Sequence, residues 1–165
     1  MSDSQASRLL QELNAEYRAT LACLQRIPET LFEFKPHPKS MSMGYLSLLV
    51  AEIPLWIQKM VVDGEIDLAG FQHFSPRSTD ELLRHFEENM QAARAALESA
   101  SEEELQKEFL LKANGKLLYS AKKAVDLPIT LNHWVHHRGQ LTVYLRMLDV
   151  PLPGLYGPTA DDQSM

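Results

Sequence analysis

The residue types able to do chemistry concentrate in one run near the end of the chain, Asn132-His133-Trp134-Val135-His136-His137-Arg138-Gly139-Gln140-Leu141, which holds three of the six histidines. The others, His37, His73 and His85, are scattered. Imidazole titrates close to neutral pH and is the commonest metal ligand among side chains, so metal binding or acid/base chemistry is to be sought in this run. Ile129, His133, His137, Gln140, Tyr144 and Leu148 follow at steps of 4, 4, 3, 4 and 4. That spacing lines one face of a helix, and apolar residues at both ends of the stripe turn the histidines inward or into a cleft. Residues four apart bring their Cβ atoms to roughly 5–6 Å, close enough for two imidazoles to share one divalent ion. His136 is rotated off the line and is the weaker candidate. Hydrogen-bonded histidines at the edge of a core give the same spacing, so the motif alone does not decide. Gly139 sits in mid-helix, where glycine costs ~1 kcal/mol relative to alanine; its presence suggests the close approach of another helix backbone or of a bound group.

Four helical segments must position these residues. Leu10, Leu13, Tyr17, Leu21 and Leu24 recur at helical steps and Pro28 stops them, so a first helix is expected over roughly residues 5 to 27. Pro36 and Pro38 force a loop. From about Ser42, the set Leu46, Leu49, Ile53, Trp56, Ile57 and Met60 predicts a second, kinked helix containing Pro54 and ending near Asp63-Gly64. Residues 64 to 77 show no period and read as a long crossing loop, which frees the direction of the next helix. Ser78-Thr79-Asp80-Glu81 has the capping-box pattern and opens a third helix through Leu82, Phe86, Met90, Ala93 and Leu97. Ser101 and Glu104 repeat the box, which suggests one extra helical turn. Asn114-Gly115 between the apolar runs Phe109-Leu111 and Leu117-Tyr119 signals a small hairpin, with a plain loop as the alternative. The last helix is expected to start around Asp126, with Pro128 in its first turn, and to reach about Asp149, followed by a non-helical strap rich in proline and glycine. The reading is an all-α four-helix bundle with a small hairpin or loop excursion before the last helix, formed as a single domain over residues 1–165.

Composition narrows the function. Sixteen Lys and Arg against 22 Asp and Glu give a net charge of −6 without any basic stripe, so a nucleic-acid partner has little electrostatic support. Hydrophobic residues make up 45% and charged residues 23%, which argues for a packed core. The lone Cys23 excludes an intrachain disulfide and fits a reducing, cytoplasmic compartment; on its helix it reads as a small buried hydrophobe. The N-terminus lacks the pattern of a secretory signal, and the apolar stretch Tyr45–Ile57, broken by Glu52 and Pro54, falls short of the roughly 20 residues that span a bilayer. No membrane association is expected.

The segment from His133 to Arg146 resembles the C-terminal signature of the DinB family, and the tail from Val150 to Asp162 resembles that family's ending. Pro36-His37-Pro38-Lys39-Ser40-Met41-Ser42-Met43-Gly44 and Val50-Ala51-Glu52-Ile53-Pro54 resemble the start and middle of its second helix. The resemblance implies an up-down-down-up bundle, often a homodimer, holding a divalent metal (zinc, nickel or manganese) on three histidines: one on the second helix and a pair four apart on the last. Its wider relatives include thiol-dependent S-transferases and a maleylpyruvate isomerase, and many members are stress-associated. His133 and His137 match the pair. The second-helix position is Leu49 here, and Glu52, one turn further, is the nearest oxygen donor. The resemblance thus implies a divalent-metal-dependent enzyme of thiol-transferase or hydrolase type with an incomplete histidine triad. In it His136, Arg138 or Tyr156 would be the candidate contacts to an anionic substrate. The alternative is a metal-free bundle, either binding a small molecule through its paired imidazoles or serving as a structural dimer.

Overall fold

The computed structural model describes residues 4–163. Four long helices, α1 (Gln5–Leu24), α2 (Met43–Val62), α3 (Thr79–Ser99) and α5 (Lys123–Met147), account for most of the chain, and a single turn, α4 (Glu102–Leu105), precedes the last of them. Three short strands, β1 (Glu65–Asp67), β2 (Glu108–Ala113) and β3 (Lys116–Lys122), form a small mixed sheet in the order β1-β2-β3.

Serine hydroxyls open the helices: Ser4, Ser42, Ser78 and Ser101 each accept the amide three residues on, satisfying donors that a helix start leaves free. The box at Ser78 is only half formed. Glu81 gives its oxygens to the amide and guanidinium of Arg77, at 2.8 and 3.1 Å, instead of folding back onto Ser78.

Both helix-internal prolines are answered by a side chain from elsewhere. A proline has no N–H for the carbonyl four residues earlier. The carbonyl that Pro54 leaves free, on Val50, accepts the buried indole N–H of Trp134 at 2.8 Å. The one that Pro128 leaves free, on Ala124, accepts Gln5 Nε2 at 2.6 Å.

α2 packs on α3 and α5, and α1 packs on the same two helices. Polar cross-links set their heights. Thr79 at the start of α3 donates to the carbonyl of Ile27 beyond the end of α1, and Arg94 donates to Asn14. Lys123 reaches Val61 at the end of α2, while Tyr144 reaches Met41 ahead of its start. The core between the helices holds Leu13, Leu24, Met43, Leu46, Ile57, Phe86, Met90 and Trp134, all buried. α2 is long and apolar enough to cross a membrane, but most of it, Glu52 included, is buried within the protein, as befits a core helix.

Two boundaries differ from the sequence expectation. Residues 64–77 are not wholly irregular: Glu65, Ile66 and Asp67 pair in parallel with Leu110, Leu111 and Lys112. A three-residue strand is too short to show a period, and its partner lies far along the chain. α5 starts at Lys123 instead of near Asp126, directly where β3 ends. Its start is fixed by the buried Lys123 ammonium, which donates to the Val61 carbonyl and pairs with Glu104 of α4. Pro128 consequently lies beyond the first turn. The hairpin itself forms as expected: Asn114 and Gly115 take φ of 51° and 73°, the positive values that a two-residue hairpin turn of the twist-matching kind demands. Asp67 of β1 receives the amides of both turn residues, at 3.0 and 2.7 Å. Those bonds, chiefly that of Gly115, hold its carboxyl below the usual range.

Candidate functional site

α2, α5, the sheet and the segment after β1 enclose a cavity of about 430 Å³, a volume typical of small-molecule sites. Its two helical walls differ in kind. α2 contributes Leu49, Ile53, Trp56 and Met60, and α5 contributes Asp126, Thr130, His133 and His137. The α5 residues stand at steps of 4, 3 and 4, one face of the helix. Leu68, Phe109, Leu111 and Tyr119 close the end nearest the sheet. Tyr119 pairs across the strands with Leu111 because a bulge between Leu111 and Lys112 leaves Leu118 without a partner residue, so both neighbours face the cavity.

The histidine pair forms as the spacing requires. The Nε2 atoms of His133 and His137 lie 2.7 Å apart, and His137 Nδ1 meets Gln140 Oε1 at 2.8 Å. A carbonyl oxygen only accepts, so His137 carries its proton on Nδ1 and turns a bare Nε2 toward His133. The proton between the rings therefore belongs to His133. His137 is buried, whereas His133 is open to solvent at the cavity mouth. Burial, followed by the adjacent His137 and His136, holds the His133 imidazole below its ordinary value. The stripe drawn from Ile129 to Leu148 holds only in part: Ile129 is exposed and Tyr144 is buried, so the face turns inward along its length.

Leu49, at the position where the resemblance implies a third histidine, lines the cavity, and Glu52 is engaged by other residues. Its buried carboxylate receives the Phe74 amide at 2.9 Å on Oε1 and His73 Nδ1 at 2.5 Å on Oε2, with His85 Nε2 3.4 Å from Oε1. It ties the segment after β1 to α2. Among the described residues, no group of three or more His, Cys, Asp and Glu side chains is arranged to hold a metal ion. A catalytic zinc site ordinarily has three protein ligands and an open position. Two convergent imidazoles beside a leucine do not fit that pattern.

Asp126 was not singled out from the sequence, although its place in the 126, 130, 133, 137 series could have marked it. The residue is 9% exposed and its Oδ1 accepts the Tyr119 hydroxyl at 3.1 Å. Burial raises its pKa, and the Tyr119 bond offsets this in part.

Three residues considered for an anionic substrate stand elsewhere. Arg138 faces α1: its guanidinium is 2.6 Å from Glu16 Oε2, donates to Thr20 Oγ1 at 3.0 Å and meets the Tyr156 hydroxyl at 2.5 Å. Tyr156 in turn donates to Glu16 at 2.8 Å. This cluster straps the tail to α1 and α5 and leaves Arg138 1% exposed. His136 is exposed on the outer face of α5. Gly139 lies there too, and a Cβ built on it would meet no described atom within 4 Å; close packing within the chain does not account for it. Cys23 is buried, and burial pushes its thiol up to about 11, which leaves it a poor nucleophile.

The fold is mostly helical with a small mixed sheet. The DinB family matches residues 1–164, and the chain belongs to the DinB family. Among solved structures it is similar to a DinB-like protein from Bacillus subtilis, at 20% identity and a TM-score of 0.67, covering 96% of this chain and 99% of that one. It is also similar to a DinB-like protein from Bacillus cereus, at 20% identity and a TM-score of 0.69, covering 90% and 95%. At that identity the likeness is one of fold. No curated protein matches the chain.

Proposed function

We propose that this DinB-family chain is a metal-independent small-molecule-binding protein whose ligand sits between α2 and α5 against the His133–His137 pair. The observation that carries this reading is the cavity of about 430 Å³, in which the two imidazoles are hydrogen-bonded to one another and faced by Leu49. A hydrocarbon body would bury against α2, and the polar face of α5 would orient it. The site offers His137 Nε2 as a proton acceptor once His133 swings away; among the described cavity residues there is no cysteine or serine to act as a nucleophile.

The second reading is a divalent-metal-dependent thiol transferase or hydrolase, stress-associated as in the family at large. It is favoured by the convergence of two Nε2 atoms on one point, and it requires a third donor from outside the present set. The arrangement of the long helices as an up-down-down-up four-helix bundle is part of the proposal, supported by the cross-links of α1 to α3 and of α2 to α5. So is a homodimer. Val125, Ile129, His136, Gly139, Val143 and Met147 form an exposed, largely apolar stripe on α5, on which a second copy would pack closely over Gly139. A cytoplasmic location accords with the single reduced cysteine.

Elemental analysis of untagged protein, beside His133→Ala and His137→Ala, separates the two readings. Absence of metal after incubation with excess zinc, nickel or manganese, together with saturable binding of small apolar probes, is expected. Near-stoichiometric metal lost in both variants would replace the first reading by the second. Light scattering tests the dimer, with Val143→Asp expected to yield monomer.

A further inference from the structure

Resting on the small-molecule reading, we infer that the cavity selects an organic cation: an ammonium group on an aryl or alkyl body, with its nitrogen seated on Asp126. The charges around the cavity decide its sign. Glu52, His73, Asp126, His133 and His137 line it together with two tyrosines, and neither lysine nor arginine does. The two buried cations among the described residues are engaged elsewhere, Lys123 with Glu104 and the Val61 carbonyl, Arg138 with Glu16 and Thr20. An anionic ligand would therefore lose its water and meet two carboxylates and neither lysine nor arginine, a desolvation cost without an ion-pairing partner.

The two carboxylates differ. Glu52 has partners on both oxygens. Asp126 is less enclosed, 9% exposed against 1% for Glu52, and only Oδ1 is engaged, by Tyr119; Oδ2 has no hydrogen-bond partner among the described residues and keeps contact with solvent. Partial removal from water disfavours its ionised form, and burial accordingly displaces its pKa upward. Its place in the first turn of α5 gives it some support from the helix dipole, but that role needs no cavity in front of it. An ammonium group entering the cavity supplies what is missing, a charge-assisted donor to Oδ2. Thr130 Oγ1, whose present contact is Met60 Sδ at 3.5 Å, stands one turn along to accept a second proton. Tyr45, Trp56, Phe109 and Tyr119 line the same cavity, and aromatic rings both bury a hydrocarbon body and favour a cation near their faces.

The test uses the full chain and three ligands sharing one body: 4-phenylbutylamine, 4-phenylbutan-1-ol and 4-phenylbutyrate, titrated calorimetrically at pH 7. Wild type is expected to bind the amine at least about tenfold more tightly than the alcohol, as a charge-assisted hydrogen bond to a buried carboxylate warrants, and the carboxylate least of all. Asp126→Asn should bring the amine down to the alcohol's affinity and leave the alcohol unchanged. Equal binding of amine and alcohol by wild type, a preference for the carboxylate, or an amine preference that survives Asp126→Asn would each overturn the cation assignment and leave the binding reading standing. Failure of all three ligands to bind would overturn both. Should Asp126→Asn not fold, the order of the three ligands on wild type still decides.

Discussion

His137 and Arg138 are neighbours in sequence and both buried, yet they belong to opposite kinds of polar cluster. On the α1 side, Arg138, Glu16, Thr20 and Tyr156 satisfy one another: the guanidinium has three partners, and the tyrosine hydroxyl both donates and accepts. On the α2 side, His133 and His137 share one proton and Asp126 keeps an oxygen free. The first cluster is closed and can only hold structure together. The second is open toward a cavity and has capacity for a partner that the chain does not supply. One helix carries both, so satisfaction of hydrogen-bonding capacity, more than residue type or burial, distinguishes scaffold from site.

Breaking the closed cluster should have the largest effect. Arg138→Ala strands Glu16 and releases the tail at Tyr156; a loss of about 3 kcal/mol in urea unfolding is expected, at the low end for a broken buried pair because Glu16 can rehydrate. A loss below about 1 kcal/mol would mean that the cluster is not a scaffold. Leu49→His sharpens the open side. It adds a third imidazole to the pair and should raise zinc or nickel affinity on the order of tenfold or more over wild type, with the gain abolished by His137→Ala; titration with a competing chelator dye reads it.

Asp126→Asn should raise the melting temperature at pH 7. Burial lifts the Asp126 pKa in the folded chain above its unfolded value, so the folded state binds the extra proton between the two values, and stability falls as pH rises through that window. The amide removes this loss, and the gain should vanish below the unfolded pKa. The smallest effect belongs to His133. Its folded pKa lies below the unfolded value of about 6.5, so the unfolded chain takes up the proton first and stability falls as pH drops from there toward the folded pKa. His133→Asn should flatten that part of the melting temperature profile; an unchanged slope would assign it to other groups.

Much of the scaffold was legible because it rests on local signals. Ser78, Ser101 and Asn114-Gly115 act on their own neighbours, and the apolar steps of α1, α2 and α3 mark their buried faces. β1 was not legible: its pairing with Leu110–Lys112 is parallel and non-local, and three residues carry no pattern. The site was half legible. His133 and His137 announce themselves by spacing, but the engagement of Glu52 by His73, Phe74 and His85 is made only by the folded chain. Asp126 stands in the same helical series as the histidines, but a lone aspartate near a helix start has an ordinary explanation in the dipole, so the series alone does not assign it to the site. Gly139 invited an intrachain contact that the fold does not make, since its face of α5 looks outward.

The prolines of α2 and α5 have a consequence for how finely the cavity is built. A regular helix offers its neighbours side chains alone, and greasy side chains tolerate sliding by a fraction of a turn. Pro54 exposes one backbone oxygen at one height, and Trp134 alone, three residues from His137, is placed to take it. The indole works as a pin in a single hole: it fixes α5 against α2 both along the axis and in rotation, so the distance from Leu49 to the two imidazoles is a property of the backbone. Side-chain exchange on either wall can therefore change what the cavity holds while the walls keep their alignment, which makes this fold a frame on which specificity can be altered residue by residue.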